Sequence, residues 1–332
     1  MWALDNRTGY AAGRNWTRDK HGVHWWLVAV RSTFNIGSQG KLIPADVQTP
    51  PILAPEYHGT PGSSSLRHDS DLLFIKPSTD ILAHASAHAP RGRPATTVAV
   101  TLRVDTLEKT VVVFGERHYN ELGTSAPRPF TGTKICYEHA FGGWDRSARD
   151  PIQHRLDERN PVGRGFARRH ADLAGTPAHA VEYPSGAADT RGPAGFGPID
   201  PAWLPRRVLA GTYDAAWTST KKPLLPDDYD PAFALAAPVD QRRKTPLRGG
   251  ERVALLNMTP DGTLTFELPR ISLGFTTRFG RRTIDHDAHL ATLLLEPDER
   301  RVSLTFQSAL RVPAPDADYL DVTEIVEHRS TR

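Results

Sequence analysis

The sequence of 332 residues holds one cysteine, Cys136, and two methionines. A single thiol excludes an internal disulfide framework and fits a reducing compartment or a fold indifferent to redox. No apolar run approaches the ~20 residues a membrane-crossing helix needs. The opening MWALDNRTGY has no basic region followed by an apolar stretch, so it does not resemble a secretory signal. The expectation is a soluble protein of the cytoplasm with no membrane partner. Charge of one sign is also lacking, since 41 Lys and Arg stand against 38 Asp and Glu for a formal +3. The basic clusters Arg206-Arg207, Arg242-Arg243-Lys244 and Arg281-Arg282 are short and scattered among acids. They read as solvated surface rather than as a nucleic-acid face.

Signatures of catalysis and metal binding are missing as well: no H-E-x-x-H, EF-hand loop, paired C-x-x-C, G-x-S-x-G or Walker loop occurs. Cys136 and His139 stand three apart in a stretch, Lys134 to His139, that reads as a strand, so they face opposite sides and cannot pair locally. A lone cysteine among apolar neighbours reads as a small core residue. His84 and His88 would share a metal on a helix, but Pro77, Pro90 and Pro94 frame the segment. A strand instead sets them ~13 Å apart. His68-Asp69-Ser70-Asp71 and Asp285-His286-Asp287-Ala288-His289 carry ligand-type side chains and read as polar turns before strands. A metal-dependent hydrolase would need His68, Asp71, Asp285, Asp287 or His289 to converge. No cofactor is expected.

What is present is turn chemistry between short strands: 28 prolines, 26 glycines and seven tryptophans. His24 to Phe34 alternates, with Trp26, Val28, Val30 and Phe34 on one face, and reads as a strand by period and propensity. Leu72 to Lys76 reads as a second. Thr96 to Val104 and Thr110 to Phe114 form a hairpin about Asp105 to Lys109, and Arg252 to Asn257 and Thr263 to Leu268 form another about Pro260-Asp261-Gly262. Arg270 to Phe279, Leu290 to Leu295 and Arg301 to Phe306 follow. Short helices are weakly signalled at Asp214 to Thr220 and Pro231 to Ala236. These patterns predict a mainly β protein, an antiparallel sandwich or barrel-like architecture with long irregular loops. Its regions are a β-rich 1–185, a Pro/Gly-rich connector 186–240 and a β meander 241–332, or all of these in one compact domain. The stretch Lys134 to Phe166 has glycines at both ends, with Trp144 and Phe166 placed to pin a long loop to a core.

An ordered set of landmarks resembles one bacterial family, the domain of unknown function 2169. It comprises Trp26 with Val28 to Phe34, Asp71 followed by Lys76-Pro77 and Asp80, and Gly115-Glu116-Arg117. Next come Tyr137-Glu138-His139-Ala140-Phe141-Gly142-Gly143, and Asn160-Pro161-Val162-Gly163 with Gly165-Phe166. The second half adds Gly211-Thr212-Tyr213-Asp214 with Trp217, Pro223-Leu224-Leu225-Pro226 with Asp228, and Ala237-Pro238. The resemblance implies an adaptor or chaperone without catalysis. Such a protein binds a type VI secretion effector, often one joined to a PAAR-type tip domain, and helps load it onto the VgrG spike. The motif positions from Asp71 to Trp217 are then candidate partner contacts, first those of the Phe141 to Phe166 loop and the Gly211 to Trp217 segment. Loop-supporting hydrogen bonds from Tyr137, Glu138, Asn160 and Asp214, and a charge network of Asp71, Lys76 and Asp80, are the structural alternative. A carbohydrate-binding β domain, with tryptophans as a stacking surface, is a further alternative.

Overall fold

The computed structural model describes residues 2–328. The strands of its three main sheets, in chain order, are β1 (Ala3–Asn6), β2 (Ala11–Arg18), β3 (His24–Ile36), β4 (Asp80–Ala83), β5 (Thr97–Val104), β6 (Leu107–Phe114) and β7 (Val181–Glu182). The second half supplies β8 (Arg252–Leu256), β9 (Thr263–Glu267), β10 (Ser272–Phe279), β11 (Arg282–Asp287), β12 (His289–Glu296), β13 (Arg301–Val312) and β14 (Leu320–His328). They build three main sheets, in the orders β2-β3-β13-β12-β4, β7-β6-β5-β8-β9 and β1-β14-β10-β11. Pairing is antiparallel except between β12 and β4 and between β1 and β14. The protein is thus mainly β with several antiparallel sheets and few short helices, and among the described residues no sheet closes into a barrel. No helix among the described residues is long and apolar enough to cross a membrane.

Strands from both ends of the chain share sheets. β3 pairs along its whole length with β13, β8 pairs with β5, and β1 pairs with β14. One apolar cluster joins the three sheets, with Val28, Val30 and Leu304 from the first, Val100, Leu102 and Leu255 from the second, and Phe275 and Ile325 from the third. β3 is buried on both faces: its opposite face sets Leu27 and Ala29 against Leu72. Irregular chain therefore covers that face, and its backbone polar groups need partners. Buried side-chain amides supply them. Gln307 Nε2 donates to the carbonyls of Asp71 and Phe74 at 2.8 and 2.9 Å, and Gln241 Nε2 donates to those of Ile81 and Phe196 at 2.9 and 3.0 Å.

Several local expectations change. Leu72 to Lys76 is not a strand, because Ser70 Oγ accepts the amides of Leu72 and Leu73 at 3.0 and 3.1 Å and bends the chain there. Lys134 to His139 is not a strand either: β pairing stops at Lys134, and Tyr137–His139 form one 3₁₀ turn. The first hairpin turns more tightly than Asp105 to Lys109, with Asp105 at φ +54° and β6 already under way at Leu107. Asp285, His286 and Asp287 lie in β11 rather than in a turn. Arg206, grouped above with surface cations, is fully buried. The hairpin of β8 and β9 and the helical turns Ala215–Thr220 and Pro231–Ala234 lie where the patterns placed them.

Candidate functional site

The Lys134 to Phe166 stretch closes into a backbone knot. Phe141–Gly142 runs parallel to Arg164–Gly165, and Trp144–Asp145 pairs with Arg155–Leu156. Buried Asn160 is its hub, its Nδ2 donating to the carbonyls of Tyr137 and Phe141 at 2.8 and 3.0 Å while its own carbonyl accepts the Gly143 amide at 2.8 Å. The chains approach too closely for side chains. A Cβ on Gly142 would stand 2.2 Å from the Asn160 carbonyl oxygen, one on Gly143 2.3 Å from that of Gly163, and one on Gly163 2.3 Å from Asn160 Nδ2. Pro161 rounds the turn between Asn160 and Gly163. Tyr137 is buried against Trp203 with ring centroids 5.7 Å apart, and its hydroxyl donates to the Gly197 carbonyl at 3.1 Å. The expected anchors differ, since Trp144 is 46% exposed and Phe166 half-buried while Tyr137 and Phe141 are inside.

Behind the knot, the Tyr119 hydroxyl meets His179 Nδ1 at 2.5 Å, and His179 Nε2 lies 2.9 Å from Glu182 Oε1. Arg117 pairs with the same carboxylate and donates to the His179 carbonyl. Burial alone would raise Glu182, yet His179 and Arg117 hold it below the usual carboxylate range. This relay braces Gly165, where a Cβ would lie 2.0 Å from the Tyr119 oxygen. Arg117 and Tyr119 stand about sixty residues from His179 and Glu182, 60 between Tyr119 and His179 and 65 between Arg117 and Glu182, so no local spacing brings the two pairs together.

Glu138 ties the knot to the short hairpin of Glu56–Tyr57 and Leu66–His68, accepting the Ser65 amide and hydroxyl at 2.7 and 2.9 Å. Beside it three imidazoles gather, His84 edge-on to both His58 and His68 at centroid distances of 5.4 and 5.1 Å. Burial, reinforced by His84 and by Arg31 and Arg67, lowers His68 to about 3. Burial and His58 lower His84 to about 4 against the pull of Glu296. Burial likewise pushes the Cys136 thiol up to about 12, with Glu138 adding to it, so this cysteine carries no thiolate at neutral pH.

A histidine whose folded pKa lies below its unfolded value contributes stability that is whole above pH ~6.5 and is lost as pH falls toward the folded value, because only the unfolded chain takes up the proton. Each imidazole contributes at most ~1.4 kcal/mol per pH unit in that window. From His68 and His84 alone the native chain is expected to be roughly 4 kcal/mol less stable to urea at pH 5 than at pH 7. Burial lowers His286, between Thr277 and Ser308, to about 4 as well. The His68→Gln/His84→Gln variant therefore retains part of the slope, and equal stability of the native chain at both pH values would contradict the assignment.

Asp71, Lys76 and Asp80 form the charge network considered above. Lys76 Nζ donates to Asp80 Oδ2 and Thr292 Oγ1, both at 2.7 Å, and Asp80 also accepts the amides of Ala236 and Ala237 at 3.0 and 2.9 Å. Burial would lower Lys76, but Asp80, Asp71 and Asp69 outweigh it and keep the ammonium charged. Asp71 accepts the Ile52 amide at 2.9 Å and faces Arg31 at 3.8 Å. Asp69 binds Arg206, which also donates to the carbonyls of Phe233 and Ile199 at 2.8 Å each. Asp69, Ser70 and Asp71 are spent on structural bonds, and His68 packs against His84.

Arg206 also roots the second candidate segment, an exposed arm. Gly211, at φ +86°, turns the chain where a Cβ would strike Asp228 and Pro226. Asp228 accepts the Thr212 amide and hydroxyl at 2.9 and 2.8 Å, and Asp214 caps the helix Ala215–Thr220 through the Trp217 amide at 2.8 Å. Tyr213, 52% exposed, packs edge-on against Trp217 at 4.7 Å, and Trp217 Nε1 donates to the Leu224 carbonyl at 2.9 Å. Lys20 ties the arm's return to the carbonyls of Asp227 and Tyr229. Leu225 and Tyr229 wall an apolar cleft of about 300 Å³ with Trp25, Phe74 and Ile75.

Of the residues weighed for a metal, Asp285 accepts the Thr276 hydroxyl at 2.7 Å and His289 Nε2 meets the Lys76 carbonyl at 2.8 Å. Among the described residues no three His, Cys, Asp or Glu side chains are arranged to hold an ion. His88 pairs with Asp298 at 2.8 Å, apart from the imidazole cluster around His84.

No curated protein and no solved structure matches the chain. A family model described as an uncharacterized protein conserved in bacteria, DUF2169, matches residues 21–307, a span containing the knot, the arm and the buried charge network. The chain belongs to the DUF2169 family of bacterial proteins.

Proposed function

We propose that the protein is a non-catalytic adaptor that binds a type VI secretion effector, often one linked to a PAAR-type domain, and helps load it onto the VgrG spike. The observation that carries this reading is the arm from Gly211 to Asp228: it presents Tyr213 to solvent while Asp214, Asp228 and Trp217 hold its backbone in one conformation. Preordered exposed aromatics contribute contact area with little conformational entropy left to lose, as protein-binding surfaces require. Trp144, half-exposed with Arg146 5.4 Å above its ring, adds a second anchor of the type enriched at interfaces.

Co-expression with the effector encoded beside this protein, followed by size-exclusion chromatography with light scattering, tests the reading. Co-elution at a defined mass is expected, with effector solubility lost when the adaptor is omitted. Tyr213→Ser/Trp217→Ser is expected to weaken the complex at least tenfold. Separate elution with a folded, soluble effector would overturn the proposal, and glycan binding abolished by the same variant would move it to carbohydrate recognition.

A further inference from the structure

Pro238–Arg242, the helical turn Ala188–Arg191 and the chain around Ile199 and Leu204 enclose a cleft of about 340 Å³. Its walls are largely apolar, but three arginines and one aspartate line it, and their charges do not cancel. Arg159 is matched by Asp157 through Nε at 2.9 Å and Nη2 at 2.6 Å. Asp240 is matched by buried Lys109 at 2.7 Å, and its second oxygen accepts the Tyr183 hydroxyl at 2.9 Å. That leaves Arg191 and Arg242, neither of which has a carboxylate partner among the described residues. Arg191 lies over the Tyr183 ring at 4.6 Å. Arg242 donates only to neutral carbonyls, Nε to Ala237 and Nη2 to Leu235, at 2.8 and 2.9 Å. Three of its five N–H donors remain.

A half-buried guanidinium without a counter-ion is costly, and burial pulls Arg242 below its ordinary value despite Asp80 and Asp230. A carboxylate would relieve that cost through a charge-assisted bond that the guanidinium fork suits. The apolar walls, continued at the rim by Val239, 65% exposed, ask for hydrocarbon beside the charge. At 340 Å³ the cleft takes only a short stretch of chain. We infer that this cleft receives an Asp or Glu side chain of a protein partner, its carboxylate on Arg242 with Arg191 at the rim, and an adjacent apolar residue against Ile199, Leu204 and Pro238. The class of partner rests on the adaptor reading, whereas the chemistry of the cleft does not.

Random 12-residue peptides displayed on phage are selected against the full chain, and the enriched sequences are synthesised and titrated by fluorescence anisotropy. An acidic position next to an aliphatic or aromatic one is expected. Replacing that acid by its amide, or making Arg242→Gln, should weaken binding about tenfold or more, and Arg191→Gln a few-fold. Arg191 is exposed and makes no side-chain hydrogen bond among the described residues, so its variant tests the site even if Arg242→Gln unfolds. Enriched peptides without an acid, or affinities unchanged in Arg191→Gln and Arg242→Gln, would overturn the assignment, as would displacement of the peptides by free glutarate at matching affinity. Peptides lost only with Tyr213→Ser/Trp217→Ser would also overturn it and leave the adaptor reading standing. Arg242-dependent peptide binding beside an effector that elutes alone would support the cleft and remove that reading.

Discussion

Asp80→Ala is expected to lower the unfolding free energy by about 3–5 kcal/mol. The carboxylate is fully buried and is the counter-charge of Lys76, whose ammonium would otherwise sit inside the protein unpaired. It also accepts two amides, those of Ala236 and Ala237, which hold connector chain against β4. Losing it leaves one charge and two donors without partners, and each buried orphan donor costs ~1–3 kcal/mol. Lys76→Met/Asp80→Ala removes the charge but not the orphan amides, so it should recover only part of the loss. Denaturant unfolding measures both. A loss below ~1 kcal/mol would mean that water reaches the pair. The same variant should loosen Pro238–Arg242, which follows directly on the two clamped alanines.

A methyl group added at Gly142 is expected to cost ~3 kcal/mol or more, whereas Trp144→Ala, two residues on, should cost only about 1–2. Gly142 sits at φ +144°, and its Cβ would stand 2.2 Å from a backbone oxygen that itself accepts the Gly143 amide. That oxygen cannot retreat without opening the knot. Trp144 is 46% exposed, so its removal opens surface rather than an enclosed cavity. Thermal unfolding of the two variants separates the part of the motif that builds the scaffold from the part free to meet a partner. Equal losses would show that the Trp144 ring is part of the core.

The strand patterns were legible wherever one residue type alternated along a continuous stretch. β5, β6, β8, β9 and β10 announce themselves in this way, because burial of one face acts on every second side chain, whereas β3, β12 and β13 are buried on both faces and show as apolar and β-branched runs. β2 and β14 did not. AAGRNWTR and LDVTEIVEH carry polar residues through partly buried positions, and their strand state is set by pairing with β3 and β10. The glycine-rich landmarks were legible as tight backbone. What they tighten was not: Gly142 answers to Asn160, and Gly165 to Tyr119.

The sequence by itself therefore determined the β class, the main hairpins, the lack of disulfides and the family landmarks, all of which rest on local period, propensity and composition. Only the tertiary structure decided what each polar residue does. Arg206 is buried by Asp69, at a separation of 137 residues, and Lys109 is matched by Asp240, at 131. The same long-range pairing leaves Arg191 and Arg242 without carboxylates among the described residues. Charge pairing and burial depend on distance in space, and that distance is set only when strands from opposite ends of the chain close on one core.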